Sequence, residues 1–219
     1  MGEKEKFSFS KLETYHNCRR NYFHTYVEGN RSGESIYSYL GTVTHELTQA
    51  MIRKEISNQQ AVEDFIEAVD DADMLDLKWI SENVKNKYVE CIVHFLENYN
   101  PVSNDTIKIE EYFEIEIDGC VMRGYIDLWY MEGNKIYIED FKTSTKFSKK
   151  DLLKKQRQLL LYGIALSEKY PEHEIVLRFN MLKYVLQGKK LVERIKVGIL
   201  DEFEAVSYTH LTLPTMAVV

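Results

Sequence analysis

Cysteine is scarce: Cys18, Cys91 and Cys120 are the only three in 219 residues, and they lie far apart. An odd, scattered set argues against the disulfide framework of a small secreted domain. No Cys-x-x-Cys pair occurs, so neither a zinc site nor an iron–sulfur cluster has a complete ligand set. Cys18 is expected to be a small buried apolar residue. Long apolar runs are also missing, and no segment reads as a membrane span. The opening Met1-Gly2-Glu3-Lys4-Glu5-Lys6 lacks the apolar stretch of a secretory signal. Gly2 resembles a myristoylation start, but Lys6 replaces the Ser or Thr that motif needs. A cytoplasmic protein is expected, with no membrane partner. A positive net charge is lacking too: 28 Lys and Arg against 35 Asp and Glu give −7. That counts against a broad nucleic-acid groove, because neutralising phosphates needs Lys and Arg. It leaves room for a local one. Arg19, Arg20, Lys146, Lys149, Lys150, Lys154, Lys155, Arg157, Lys189 and Lys190 are clustered basic residues, while acids collect over residues 63–76.

What is present is enough apolar content, 44%, for a real core, with 29% charged residues for a soluble surface. The length fits one domain, or one domain with an insertion. Ser10-Lys11-Leu12-Glu13 has the form of a capping box, which predicts a helix from Lys11. Leu12, Tyr15, Tyr22 and Tyr26 recur at helical spacing, and Gly29 and Gly33 end the pattern. These rings and Phe23 are expected to pack in the core, with stacking on bases as the alternative. A second helix is expected from Thr42, a third over residues 60–69, and a fourth marked by Ile80, Val84, Tyr88, Ile92, Phe95 and Tyr99. Asn100-Pro101 ends it.

The period then changes to two. Residues 107–117, 121–131 and 135–142 alternate like strands, with turn signals at Asp118-Gly119 and Gly133-Asn134, and so predict an antiparallel meander. Residues 149–169 return to helical spacing. Two further strands, about 174–186 and 190–197, meet at Gln187-Gly188, and a last helix opens at Leu200. The expected fold is α/β: helices, three strands, a helix, two strands, a helix. The run Val206-Ser207-Tyr208-Thr209-His210-Leu211-Thr212-Leu213-Pro214-Thr215 continues no pattern before it. It reads as the in-frame translation of a sequencing adapter, so residues 206–219 are expected to be a non-native tail, with a loosely packed native tail as the alternative.

Within the meander stand two acids and a lysine. Gly124-Tyr125-Ile126-Asp127 lies in one apolar run and Asp140-Phe141-Lys142-Thr143-Ser144 ends the next. Ile136, Ile138, Asp140 and Lys142 are two apart and share a face. Glu139 points the other way and is expected to be structural. Two carboxylates about 4 Å apart at an effective dielectric near 20 repel by roughly 4 kcal/mol. A divalent cation is the simplest remedy, and a carboxylate-held metal beside a lysine suits phosphodiester cleavage.

The motifs, taken in order, carry a specific resemblance. Residues 7–22 resemble the opening helix of the RecB-type branch of the PD-(D/E)XK nucleases. Gly41-x-x-x-His45, Gly124-x-x-Asp127, Asp140-x-Lys142 and Gln158-x-x-x-Tyr162 resemble its next four motifs. The resemblance implies a restriction-endonuclease-like core, a mixed sheet flanked by helices, with a helical N-terminal insertion. One nuclease domain over 1–205 is implied, helical over about 10–100 and catalytic over about 105–205. It implies that Asp127, Asp140, His45 and the Phe141 carbonyl bind the metal, Mg²⁺ or Mn²⁺. It gives Lys142 the attacking water and the charged transition state, and Gln158 and Tyr162 a bracing or DNA-contacting role. Two departures stand out. Ile126 replaces the proline of the family name, as is usual in the Gly-x-x-Asp branch. The C-terminal cysteine trio of the iron–sulfur relatives is missing, leaving Cys18 alone near their first cysteine; truncation would account for that.

The implied activity is a metal-dependent deoxyribonuclease, an exonuclease working on DNA ends or single strands in recombination, repair, phage replication or CRISPR adaptation. The alternative is a catalytically silent nucleic-acid-binding or scaffold protein of the same fold. His45 as an ordinary helix residue, Gln158 and Tyr162 as packing groups, and the lysines from Lys146 to Lys155 as a solvated helix start remain open.

Overall fold

A change of apolar period near residue 100 separates a helical layer from a sheet. The computed structural model describes residues 6–30, 33–144 and 149–182, with short strand segments at 186–187, 190–191 and 195–197. The tail from Val206, the helix expected at Leu200, Lys146 and the turn at Gly188 lie outside the described residues.

Strand β1 (Lys6–Phe7) leads into helices α1 (Phe9–Asn17) and α2 (Arg19–Tyr22), then a π-helical turn (Phe23–Val27). Helices α3 (Ile36–Ile52), α4 (Asn58–Met74) and α5 (Glu82–Asn98) follow. Serine opens four of them. The Ser8, Ser35, Ser57 and Ser81 hydroxyls accept the N–H groups of Lys11, Ser38, Gln60 and Val84 at 3.1–3.3 Å. Each cap satisfies a donor that the helix itself leaves free and is worth about 1 kcal/mol. The first helix therefore starts on Ser8, not in the capping box at Ser10, whose carbonyl instead accepts the Thr14 hydroxyl. The second long helix begins six residues before Thr42, because Ser35 supplies the cap. Ile80 is 80% exposed and lies outside the helix it was expected to open, because Ser81 caps that helix.

The sheet is β2 (Lys108–Ile117), β3 (Cys120–Glu132), β4 (Lys135–Lys142), β5 (Glu174–Met181) and β8 (Ile195–Val197), with β1 added at one end. A short pair, β6 (Leu186–Gln187) with β7 (Lys190–Leu191), stands apart. The expected meander is present: β2–β3 and β3–β4 are antiparallel. Asp118 and Gly119 both take positive φ, as a two-residue hairpin turn requires. Strand β5 runs parallel to β4, and helix α6 (Lys149–Lys169) makes the crossover a parallel pair needs. The result is the expected mixed sheet flanked by helices.

Each face of the sheet has its own core. Leu40, Met51, Phe65, Ile92, Phe95 and Leu96 of α3–α5 pack against Leu128, Tyr130 and Phe141. Leu159, Tyr162 and Leu166 of α6 pack on the opposite face against Phe113, Ile136, Ile138 and Phe179. Each fully buried side chain of this size contributes roughly 1.5–3 kcal/mol. On the first face Glu139 is buried, accepting hydrogen bonds from Tyr130 (3.3 Å) and Asn180 (3.1 Å), with Arg178 at 3.6 Å. It is structural, as its strand position predicts.

Gly124 shows why its motif needs glycine. It sits directly opposite Phe113, and a Cβ there would come within 2.9 Å of the Phe113 ring. That ring in turn meets Tyr162 edge-on at 5.5 Å. Gly124→Ala is expected to destabilise the protein by about 1–3 kcal/mol through overpacking. Urea unfolding checks this; an unchanged midpoint would mean that the Phe113 ring is not pinned.

Candidate active site

The β3–β4 ladder ends with the Leu128–Glu139 pair. The next two residues in register are Asp127 and Asp140, so the acids sit where the strands part. Phe141 N–H donates to Asp127 Oδ2 at 2.9 Å, so the carboxylate takes an amide that a continued ladder would have served. On the other side of β3 the β2 ladder skips one position, Glu110 opposite Asp127. Glu110 adopts φ +52°, a left-handed conformation that costs a non-glycine residue about 1 kcal/mol or more. Its Oε1 accepts a 2.8 Å bond from Gln49 of α3. The distortion turns β3 over: Ile126 faces the α6 core and Leu128, two residues on, faces the α3–α5 core.

Side chains from both layers converge on this point. From α3, His45 Nδ1 lies 3.7 Å from Asp127 Oδ2, and its ring meets Phe141 edge-on at 5.9 Å. From α6, the Gln158 carbonyl accepts a 3.3 Å bond from Lys142, while its amide donates to the Tyr162 hydroxyl at 2.6 Å. Lys142 Nζ is 2.6 Å from Asp140 Oδ2, off the axis of a hydrogen bond, so the contact is an ion pair. Asp140 is 1% exposed, and neither of its oxygens accepts a hydrogen bond from the described residues. The seven residues expected from the motifs thus form two contact groups, His45, Asp127 and Phe141 in one and Asp140, Lys142, Gln158 and Tyr162 in the other, joined through the consecutive residues 140–142. Gly41 lets α3 approach: a Cβ there would lie 3.2 Å from the Thr143 hydroxyl, one residue past Lys142.

Burial dominates the electrostatics. It pushes Asp127 up to about 6, opposed by the Lys142 charge and the Phe141 amide. It pushes Asp140 up to about 6 as well, with Lys142 opposing and Asp127 reinforcing the rise. His45 is lowered by burial, so its imidazole is neutral near pH 7 and free to act as a ligand. The Tyr162 phenol is driven far up by burial and by both acids, and stays protonated.

Two desolvated carboxylates, one of them with a buried oxygen that neither a hydrogen bond nor the Lys142 ion pair serves, fit a divalent cation. Among the described residues no three His, Cys, Asp or Glu side chains are grouped closely enough to hold a metal unaided. A cation here would therefore draw on main-chain carbonyl or water as well as the acids. A cavity of about 350 Å³ between β2 and α6, lined by Glu111, Phe113, Ile115, Ile126 and Lys169, includes none of the seven residues.

Glu110 and Gln49 were not foreseen. Glu110 lies in a strand-like run, and nothing in its residue type signals a left-handed backbone. Cys18 is exposed rather than buried; its sulfur accepts the Asn21 N–H at the start of α2. No described helix is long and apolar enough to cross a membrane.

Comparison with known proteins gives the family. Residues 6–210 match the sequence model of the PD-(D/E)XK nuclease superfamily. The chain belongs to that superfamily. It is 30% identical over 146 residues to an ATP-dependent helicase/nuclease subunit of Streptococcus pyogenes serotype M5 (strain Manfredo), a match covering 61% of this chain and 11% of that protein. The serotype M49 protein (strain NZ131) matches at the same identity and coverage. The chain thus spans about a tenth of these relatives. A crystal structure of a putative exonuclease from Eubacterium rectale is similar over 88% of this chain and 72% of that one, at 12% identity and a TM-score of 0.47.

Proposed function

We propose that this chain is a metal-dependent DNA nuclease, an exonuclease acting on DNA ends or single strands, with its nuclease domain over residues 1–205. The observation that carries the reading is the pair Asp127 and Asp140, desolvated side by side where two strands part, with Lys142 against the second acid. The curated relatives, named as helicase/nuclease subunits, support nucleic acid as the substrate. Asp127 and Asp140, with the Phe141 carbonyl, would hold Mg²⁺ or Mn²⁺, and His45, 3.7 Å from Asp127, would join them by closing in on the ion. Bound there, such an ion supplies Lewis acidity, shielding the scissile phosphate and lowering the pKa of water. Lys142 orients the attacking water and stabilises the negative charge that grows on the phosphoryl oxygens. Gln158 fixes the Lys142 ammonium, and Tyr162 fixes Gln158, so the lysine is held before substrate arrives. A scaffold protein has no physical need for a lysine held between a buried acid and a braced amide.

The test is cleavage of end-labelled single- and double-stranded DNA with Mg²⁺, Mn²⁺ or EDTA. Shortening from an end with either metal, and none in EDTA, is expected. Intact substrate under all conditions would overturn the enzyme reading in favour of the silent scaffold.

A further inference from the structure

Apart from Phe9, the aromatic side chains of the first helices stay out of the two core clusters. Helix α1 is anchored through Phe9 and Leu12, which pack against the α6-side core. None of the residues of α1, α2 or the π-helical turn is buried. Phe23 is 49% and Tyr26 39% exposed. Tyr15, Tyr22 and Tyr26 form a ladder with ring centroids 5.2 and 5.3 Å apart. The Arg19 guanidinium lies 5.4 Å from the Tyr15 ring centre. Tyr15 and Tyr22 are half-buried, and the exposed Phe23 and Tyr26 extend them into an apolar surface that has a cost in water and marks a contact.

Charge says what it contacts. The segment 9–27 carries Lys11, Arg19 and Arg20 against one acid, Glu13, in a protein of net charge −7. Glu13 is itself paired, at 2.8 Å, with Lys155 of α6. That pair also fixes position. Gln158, which holds Lys142, is three residues from Lys155, about 4.5 Å along α6. The rings and arginines are thus joined through one turn of α6 to the acids. Rings give faces on which any base can stack, and arginines give partners for phosphates.

We propose that α1, α2 and the π-helical turn form a stacking platform for single-stranded nucleic acid, which leads the strand to the Asp127–Asp140 site. The leading role rests on the nuclease reading; the binding does not. Flexible single strands can turn their bases onto the rings, whereas a duplex keeps its bases stacked inside.

The experiment is fluorescence anisotropy with labelled oligodeoxythymidine, oligouridine and a DNA duplex, all in EDTA so that cleavage cannot intervene. The parent should bind the single strands more tightly than the duplex, and the two single-strand arms show whether deoxyribose or ribose is preferred. Phe23→Ala and Tyr26→Ala should each weaken single-strand binding by about tenfold. Tyr26→Phe, which keeps the ring, should bind like the parent. Arg19→Gln should flatten the salt dependence by about 0.7 in log–log slope. Parental affinity in both alanine variants, equal duplex binding, or no oligonucleotide binding at all, as for a surface covered by protein, would overturn the platform. So would a lowered thermal midpoint in Phe23→Ala and Tyr26→Ala, which would make the rings packing groups. Cleavage by the parent despite such results would leave the nuclease site standing. Ring-dependent binding without cleavage would do the reverse.

Discussion

Lys142→Ala is expected to cut DNA cleavage by about 10²–10³-fold while Mn²⁺ affinity holds or tightens. The two effects have opposite signs because the ammonium meets two different partners. Toward substrate it is a positive charge aimed at growing negative charge, in a place where burial makes each charge count. Toward a cation it is a competitor, since it lies 2.6 Å from the Asp140 carboxylate. Removing it abolishes the first role and relieves the second. Gln158 loses its cation but keeps the Tyr162 contact, so the fold should tolerate the change. Calorimetric Mn²⁺ titration beside the cleavage assay separates the roles. A parental cleavage rate would show that Lys142 is not catalytic.

Asp140→Asn should abolish cleavage and cation binding, yet make the metal-free protein more stable at pH 7.5 by on the order of 1–3 kcal/mol. Burial raises Asp140 from its ordinary 3.8 to about 6. Between those values the folded protein holds a proton that the unfolded chain has lost. Stability therefore falls as pH climbs through that window, and above about 6 the whole penalty is present. Asparagine carries no such charge. Its advantage should shrink by pH 5 and vanish below about 4. Because Asp127 rises for the same reason, the two acids titrate together and their penalties do not simply add. Urea unfolding in EDTA at the two pH values measures the difference. A variant less stable than the parent at pH 7.5 would show that Lys142 already compensates the buried charge in full.

Much of this site could be read from the sequence because its elements have clean periods. Ile136, Ile138, Asp140 and Lys142 alternate, and an alternating run fixes which face each residue takes. Gln158 and Tyr162 are four apart on a helix, and their contact follows from that spacing. What could not be read depends on departures from period. Strand β1 is two residues long and pairs with β3 far along the chain. Glu110 breaks the alternation through its backbone, leaving no mark in its residue type. Helix starts shifted because the capping serines, Ser8, Ser35 and Ser81, do not coincide with the starts that the apolar period suggests. The rings of Tyr15, Tyr22 and Tyr26 have the spacing of a core stripe, but Phe9 and Leu12 had already committed the buried face of α1.

The two cores on either side of the sheet give a cation at this site a second consequence. His45 belongs to the helical layer, and Asp127 and Asp140 to the strands. An ion held by both would be a removable cross-link between residues 45 and 127, closing a loop of roughly 80 residues. Loading would then add to stability by mass action, in proportion to the logarithm of free ion over its dissociation constant. The helical layer would become hardest to pull away just when the chemistry is ready to run.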